Sequence, residues 1–365
     1  MKIDAFNSFY EGKRVLITGH TGFKGSWLSE WLLMLGANVA GFSLEPPTDP
    51  SLFDQLQLSD RVDHHIADIR DLIALKKCVE SIEPDVVFHL AAQPLVRESY
   101  LEPVETYATN VMGSVNLMES LKTLTKKVVC VMVTTDKCYE NREWLHGYRE
   151  TDPLGGYDPY SSSKGCAELA ISAYRRSFFS KTDSNVLISS ARAGNVIGGG
   201  DWSKDRIVPD CMRSLAAGDS IKVRNHNSTR PWQHVLEPLS GYLELARQSW
   251  EFQGRVELNP YLGAFNFGPS IDSNLSVREL VEEILKHWDG SWMNHSTVDA
   301  VHEAGKLNLS IEKAFHLLKW RPVWSFASTV KFVVDWYRLV NESDDGEAIG
   351  LTQKQILKYM QDSKI

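Results

Sequence analysis

The sequence predicts an α/β chain: a doubly wound parallel sheet of the Rossmann type with a smaller C-terminal lobe for substrate. Three observations carry this. An aliphatic run, Val15-Leu16-Ile17, stops at Gly19 and gives way to a helical pattern in which Trp27, Leu28, Trp31, Leu32 and Leu35 share a face. Short β-branched runs then alternate with helical segments as far as Ala191. One of them, Val128 to Val133, is apolar at every position, the pattern of a parallel strand buried on both faces.

The first turn carries the chemistry. Glycines stand at three-residue intervals in Thr18-Gly19-His20-Thr21-Gly22-Phe23-Lys24-Gly25. Gly19 allows a turn with positive φ, Gly22 lets the backbone approach a pyrophosphate, and Gly25 lets helix and strand pack closely. Thr21, Phe23 and Lys24 complete the loop, and the amides of the first helical turn face the phosphates with the helix dipole behind them. Strand, tight turn and helix in this order point to a bound dinucleotide.

A second strand runs from Asn38 to Phe42. The place where an acid usually grips the adenosine ribose holds Ser43, with Glu45 two residues on. No arginine stands nearby to receive a 2′-phosphate, which favours NAD over NADP. A missing charge-assisted bond weakens the grip by about 1–3 kcal/mol, so the cofactor is expected to exchange readily with solvent. Residues 45–60 are longer than the connection needs. They read as a solvated connection, or as a cover over the cofactor or an oligomer contact.

A short third strand near His64 to Ala67 leads to Asp68, Ile69 and Asp71. The last of these also suits the cap of a helix over 72–81. The fourth strand, Val86 to Ala92, ends in Leu90-Ala91-Ala92, where the backbone can lie against the cofactor; His89 reads as a packed strand residue. Gln93 leaves at the carboxyl edge of the sheet, where ligands bind in such folds, and is read as a substrate contact. A helix follows over 107–121, then the central strand delivers Thr134-Thr135-Asp136-Lys137.

Tyr160-Ser161-Ser162-Ser163-Lys164 opens a helix running to about Phe178. Positions i and i+4 lie on one face, so Tyr160 and Lys164 point at the same spot. A nearby ammonium favours the phenolate and lowers a pKa ordinarily near ~10, which makes Tyr160 a base for a hydroxyl at neutral pH. Lys164 can also bond the nicotinamide ribose. The sixth strand is Asn185 to Ala191, and beyond it the alternation loosens. Asn195, Arg206, Lys222, Arg224 and Arg230 bring amide and positive charge into an otherwise acidic chain. Several of these cations are expected to converge on a diphosphate, for which arginine offers bidentate grips. Helices are expected over 277–288, 311–318 and 327–340. Residues 1–191 should form mainly the dinucleotide-binding domain, and 192–345 mainly the substrate lobe with segments returning to the first. A flexible stretch, 341–346, and a C-terminal tail, 346–365, close the chain.

The net charge of −8 argues against a nucleic-acid partner. Five cysteines without a C-x-x-C pair suggest a reducing compartment with neither a disulfide framework nor a zinc or other metal site. No signal-peptide core and no membrane-length apolar stretch is present, so a soluble cytoplasmic protein is expected, with no membrane partner.

From about Phe9 to Val340 the chain resembles the nucleotide-sugar branch of the extended short-chain dehydrogenase/reductases. Three literal stretches are similar to those of CDP-glucose 4,6-dehydratases: Thr18 to Leu28, Thr134 to Lys137, and Asn195-Val196-Ile197-Gly198-Gly199-Gly200-Asp201-Trp202. The resemblance implies a lyase that uses NAD to turn CDP-glucose into CDP-4-dehydro-6-deoxy-D-glucose, for deoxyhexose and O-antigen synthesis. It implies Asp68 and Ile69 at the adenine, and Asn110 tying its helix to the neighbouring strand. Oxidation at C4 makes the C5 proton acidic. In that oxidation Tyr160 would take the O4 proton, with Thr135 bonding O4, as hydride passes from C4 to NAD; after water is lost the stored hydride returns to C6. Asp136 is assigned as the acid at O6. Many such dehydratases carry a glutamate next as C5 base; here Lys137 stands, and a neutral lysine serves if burial and Lys164 depress its pKa. The alternative is a 4,6-dehydratase or 4-epimerase acting on another nucleotide sugar; an epimerase needs no acid at O6. Relatives pair subunits through two helices each. Cys166, Ala167, Ala170 and Ala173 are small enough for such contact, so a homodimer or homotetramer is expected.

Overall fold

Extended, β-branched runs separated by helices longer than the strands have one compact solution, a parallel sheet with a helix crossing between neighbours. The computed structural model, which describes residues 5–180, 184–295, 307–342 and 347–365, has that form. Strands β1 (Arg14–Thr18), β2 (Asn38–Ser43), β3 (Asp63–Ile66), β4 (Val86–His89), β5 (Val128–Val133) and β6 (Val186–Ala193) make most of the sheet. The shorter β7 (Val196–Ile197), β8 (Ile221–Val223), β9 (Thr229–Pro231) and β10 (Gln233–His234) lie beyond it, and β11 (Ala264–Phe267) rejoins it. The seven-stranded order is β11-β6-β5-β4-β1-β2-β3, parallel throughout. β5 is buried at all its positions, and its Val129 pairs with Val86 of β4 and Leu187 of β6.

The helices are α1 (Phe23–Met34), α2 (Leu52–Gln55), α3 (Leu72–Ile82), α4 (Val96–Leu101), α5 (Pro103–Tyr107), α6 (Gly113–Leu121), α7 (Pro159–Tyr174), α8 (Ile207–Ala216), α9 (Leu236–Glu251), α10 (Val277–Ile284), α11 (Glu312–Leu318), α12 (Phe326–Glu342) and α13 (Glu347–Ser363). The run expected as one helix over 107–121 is helical throughout but widens into a π turn, Ala108–Met112, between α5 and α6. That turn carries Asn110, which bonds the backbone of Gln93 and the hydroxyl of Ser163, tying the exit of β4 to α7.

Three segments differ from the sequence expectation. Residues 45–50 are exposed or half-buried, as a solvated connection would be, but beyond them Leu52, Phe53, Leu56 and Leu58 are buried in the core. The sequence reading names no helix at α9, which contains Pro238 and Gly241. Pro238 sits in the first turn, where its missing N–H costs nothing, and a Cβ on Gly241 would stand 2.3 Å from the Phe267 ring. The supposed tail is α13, which lays Ile356, Tyr359 and Met360 into the core. Its partner is α1, whose Trp31 indole N–H reaches the Met360 sulfur at 3.3 Å. Of the stretch expected to be flexible, Asn341 and Glu342 end α12, and 343–346 lie outside the described residues.

Candidate active site

The glycine loop joins β1 to α1 at the carboxyl edge of the sheet. Gly19 has φ +78°, and a Cβ there would lie 2.6 Å from the Ala91 amide nitrogen; on Gly25 it would lie 2.2 Å from the Gly19 carbonyl oxygen. Both positions admit only hydrogen. Gly22 is the N-cap of α1 and brings no side-chain oxygen to the amides of Phe23 and Lys24. The cradle is therefore shaped for an outside anion, and it fits a dinucleotide pyrophosphate.

On the adenosine side, Thr21 and Ser43 share a hydroxyl contact of 2.8 Å, and Thr21 donates to the Leu44 carbonyl. Asp68 is gripped through both oxygens by Arg70, while Ile69 is buried beneath Gly113. Asp71 caps α3 by accepting from the amides of Ile73 and Ala74, so the capping reading is the one seen. His20, unremarked in the sequence, fills the space left by Gly41 and meets His64 at 2.6 Å; burial pushes it down to about 3. His89 has both ring nitrogens occupied, by Thr18 and Ser114, as expected of a packed strand residue.

The candidate catalytic end is built where β5 stops. Thr135 caps a short 3-10 turn, Asp136–Cys138, and its hydroxyl meets Asp136 Oδ1 at 2.9 Å. Pro159 at the start of α7 and the Asp158 cap, which accepts from the Ser161 amide, aim Tyr160 at this turn. Asp136, Lys137, Asn195 and Arg230 line one small cavity. Burial lifts the Asp136 carboxyl above the ordinary range, opposed by Lys137, Thr135 and Arg230.

The ionisation of the tyrosine differs from the sequence expectation. Burial pushes Tyr160 up to about 12, offset in part by a hydrogen bond from Thr135 and by the charge of Arg206; Lys164 is not among the groups that act on it most. Lys164 itself is pushed down by burial to about 8, with Glu168 opposing. Glu168 stands one further turn along the Tyr160–Lys164 face. Its carboxylate accepts from Thr134, Ser190 and Arg192, and the buried ion pair with Arg192 spans 2.8 Å. Extending the i, i+4 pattern one more step would have found it.

The cations do not form one cluster. Arg206 is paired with Asp201 at 2.9 Å, and Arg230 lies at the Asp136 cavity. Lys222 and Arg224 line a separate cleft of about 410 Å³ with Asp210, Arg213 and His295. Arg224 is held there by Asp205 at 2.7 Å. At Lys24, burial pushes the ammonium down to about 8, helped by Arg206 and Lys164 and opposed by Asp136. Gln93 donates from its side chain to Thr106 and the Leu95 carbonyl at the mouth of β4. Among the described residues, no group of three or more His, Cys, Asp or Glu is gathered as a metal would need.

Residues 16–333 match the family described as GDP-mannose 4,6 dehydratase. Over 362 residues the chain is 46% identical to the CDP-glucose 4,6-dehydratase of Salmonella typhimurium, covering 97% of this chain and 98% of that protein. Among solved structures it is similar to the dTDP-glucose 4,6-dehydratase of Bacillus anthracis in complex with NAD, with a TM-score of 0.73 and 21% identity over 90% of this chain and 97% of that one. DesIV, the dTDP-glucose 4,6-dehydratase of Streptomyces venezuelae with NAD and TYD bound, aligns with a TM-score of 0.73 at 23% identity, over 90% and 98% of the two chains. At that level of identity the structural likeness is one of fold.

Proposed function

The chain belongs to the GDP-mannose 4,6-dehydratase family, and from that premise we propose that it is a CDP-glucose 4,6-dehydratase. It is a hydro-lyase that uses NAD as a catalyst and releases CDP-4-dehydro-6-deoxy-D-glucose, a precursor for deoxyhexoses of surface polysaccharide. The observation that carries the reading is a buried acid, Asp136, beside the tyrosine, in a chain closely similar to one such dehydratase. A 4-epimerase has no use for an acid at O6.

Bound NAD supplies the hydride acceptor at C4 and the hydride donor at C6. Gly19, Thr21, Gly22, Phe23, Lys24 and Gly25 would hold its pyrophosphate, Asp68, Ile69, Leu90, Ala91 and Ala92 its adenosine side and flank, and Lys164 its nicotinamide ribose. Tyr160 takes the proton of the sugar's O4 while Thr135 bonds that oxygen. The resulting ketone acidifies the C5 proton, and Lys137, half-buried beside Asp136, stands where many related dehydratases carry a glutamate base. Asp136 protonates the departing C6 hydroxyl. Asn195, Arg206, Arg230 and Gln93 would contact the sugar and diphosphate, and the outer cleft with Lys222 and Arg224 would take the nucleoside.

The five free cysteines support a reducing, cytoplasmic location. Among the described residues no helix is long and apolar enough to cross a membrane. A homodimer is proposed from two adjoining helical faces that leave Leu101, Val104 and Leu169 exposed by 73%, 76% and 59%. Cys166 and Ala173 share the open face of α7, whereas Ala167 is buried within the subunit.

The test is CDP-glucose deuterated at C4, incubated with the protein and NAD. Deuterium should appear in the C6 methyl of the product, and Tyr160→Phe should abolish turnover. A C4 epimer without a new methyl group would overturn the reading.

A further inference from the structure

Tyr160 and Lys164 ride on α7, whereas Thr135, Asp136 and Lys137 ride on the turn that follows β5. Groups on two separate elements serve one sugar only if their spacing is fixed, and a misplacement of about 1 Å can cost roughly a hundredfold in rate. The helix lies close against the turn. A Cβ on Gly165, next to Lys164, would stand 3.3 Å from the Cys138 carbonyl oxygen. The end of β6 closes another side: a Cβ on Gly194 would stand 2.9 Å from Asp136 Oδ2. Such contacts limit how near the turn can come. They do not stop it from moving away.

Directional bonds do that, and they converge on one buried pair. Glu168, one turn beyond Lys164 on α7, is ion-paired through Oε2 with Arg192 of β6 at 2.8 Å. Its Oε1 accepts the hydroxyl of Thr134, a neighbour of the turn on its N-terminal side. Arg192 Nη1 donates to the Tyr139 hydroxyl at 2.8 Å, on the residue just after the turn. The turn is therefore tied at both ends to the same pair. The pair is itself held. Ser190, on the same face of β6 as Arg192, donates to Glu168 at 2.8 Å, and the Tyr139 hydroxyl goes on to Asn266 of β11 at 2.7 Å. Burial would raise Glu168, but Arg192, Thr134 and Ser190 keep it below the ordinary carboxylate range. Apolar side chains of similar size are often as stabilising as a buried ion pair, so it is the directional bonds that single this pair out.

We propose that Glu168 and Arg192 are positioning residues that hold the Thr135-Asp136-Lys137 turn in register with Tyr160, acting through Thr134 and Tyr139. This rests on the dehydratase reading given above. The experiment follows turnover of the NAD-loaded enzyme with unlabelled and C4-deuterated CDP-glucose, with the folded fraction measured by circular dichroism. The variants are Thr134→Val, Tyr139→Phe, their combination, and Glu168→Gln. The first two each cut one tie and leave the ion pair in place. In the combined variant kcat should fall by about a hundredfold, while KM and NAD affinity stay within about twofold of the wild type. The slowed chemistry should show as a larger deuterium isotope effect on kcat, or as reduced nicotinamide standing in the spectrum during turnover. Loss of folded protein changes neither. Glu168→Gln should show the same signature; where it fails to fold, the combined variant decides alone. Wild-type kcat in the combined variant overturns the proposal. So does a lowered kcat that follows the folded fraction with isotope effect and spectrum unchanged. Normal turnover by Tyr160→Phe would instead sink the parent reading and this one together.

Discussion

A methyl group on Gly25 would meet the Gly19 carbonyl oxygen at 2.2 Å, and neither partner is a flexible side chain. Gly25→Ala must therefore push α1 away from the loop it caps. We expect NAD affinity to be lost in a calorimetric titration, with a stability cost of about 1–3 kcal/mol in denaturant unfolding. Asp136 tests a different step. It is buried, and its carboxyl is lifted above the ordinary range mainly by desolvation. Asp136→Asn keeps the shape and removes the proton donor. Oxidation at C4 should still occur while loss of water stops, so reduced nicotinamide should accumulate in the absorbance spectrum on adding CDP-glucose. Rapid product formation without that accumulation would remove Asp136 from the role of acid.

Among the elements, α9, the entry to α12 and α13 meet at one buried carboxyl. Glu237 accepts from the amides of Val323 and Trp324 and from the Tyr359 hydroxyl at 2.6 Å. Burial pushes it up to about 7, against those hydrogen bonds. A carboxyl raised on folding favours the neutral form, so its contribution is complete below the unfolded value near ~4.3 and fades as pH rises through about 7. Glu237→Gln should flatten that loss: the variant's Tm should fall less than the wild type's between mildly acidic and mildly alkaline buffer. Equal slopes in the two thermal scans would show that Glu237 does not set this dependence. The same junction explains why α13 belongs to the fold, since Tyr359 and Met360 fill space beside Trp31 and Trp324.

For the whole molecule, the open faces of α4, α5 and α7 predict the assembly. Leu169→Glu places a charge in the middle of the proposed contact, and sedimentation should shift from dimer to monomer while the monomer's spectrum stays native. Much of the architecture was legible beforehand. The six strands from β1 to β6 and the Tyr160–Lys164 helix are written in periodicities that span one or two turns, and glycine spacing marks the cofactor loop because backbone clearance is a local demand. β11, α9 and α13 were not legible. Ala264-Phe265-Asn266-Phe267 has no β-branched residue, and α9 carries a proline and a glycine that only its neighbours excuse. The candidate residues could be named from the sequence, but not their charges. Tyr160 near 12 and Lys164 near 8 follow from burial and from Arg206, Asp136 and Glu168, brought together by α8, β5 and α7. Local spacing records which side chains share a face; how much water each one keeps, and which charge from a distant segment it meets, is decided only when the chain closes on itself.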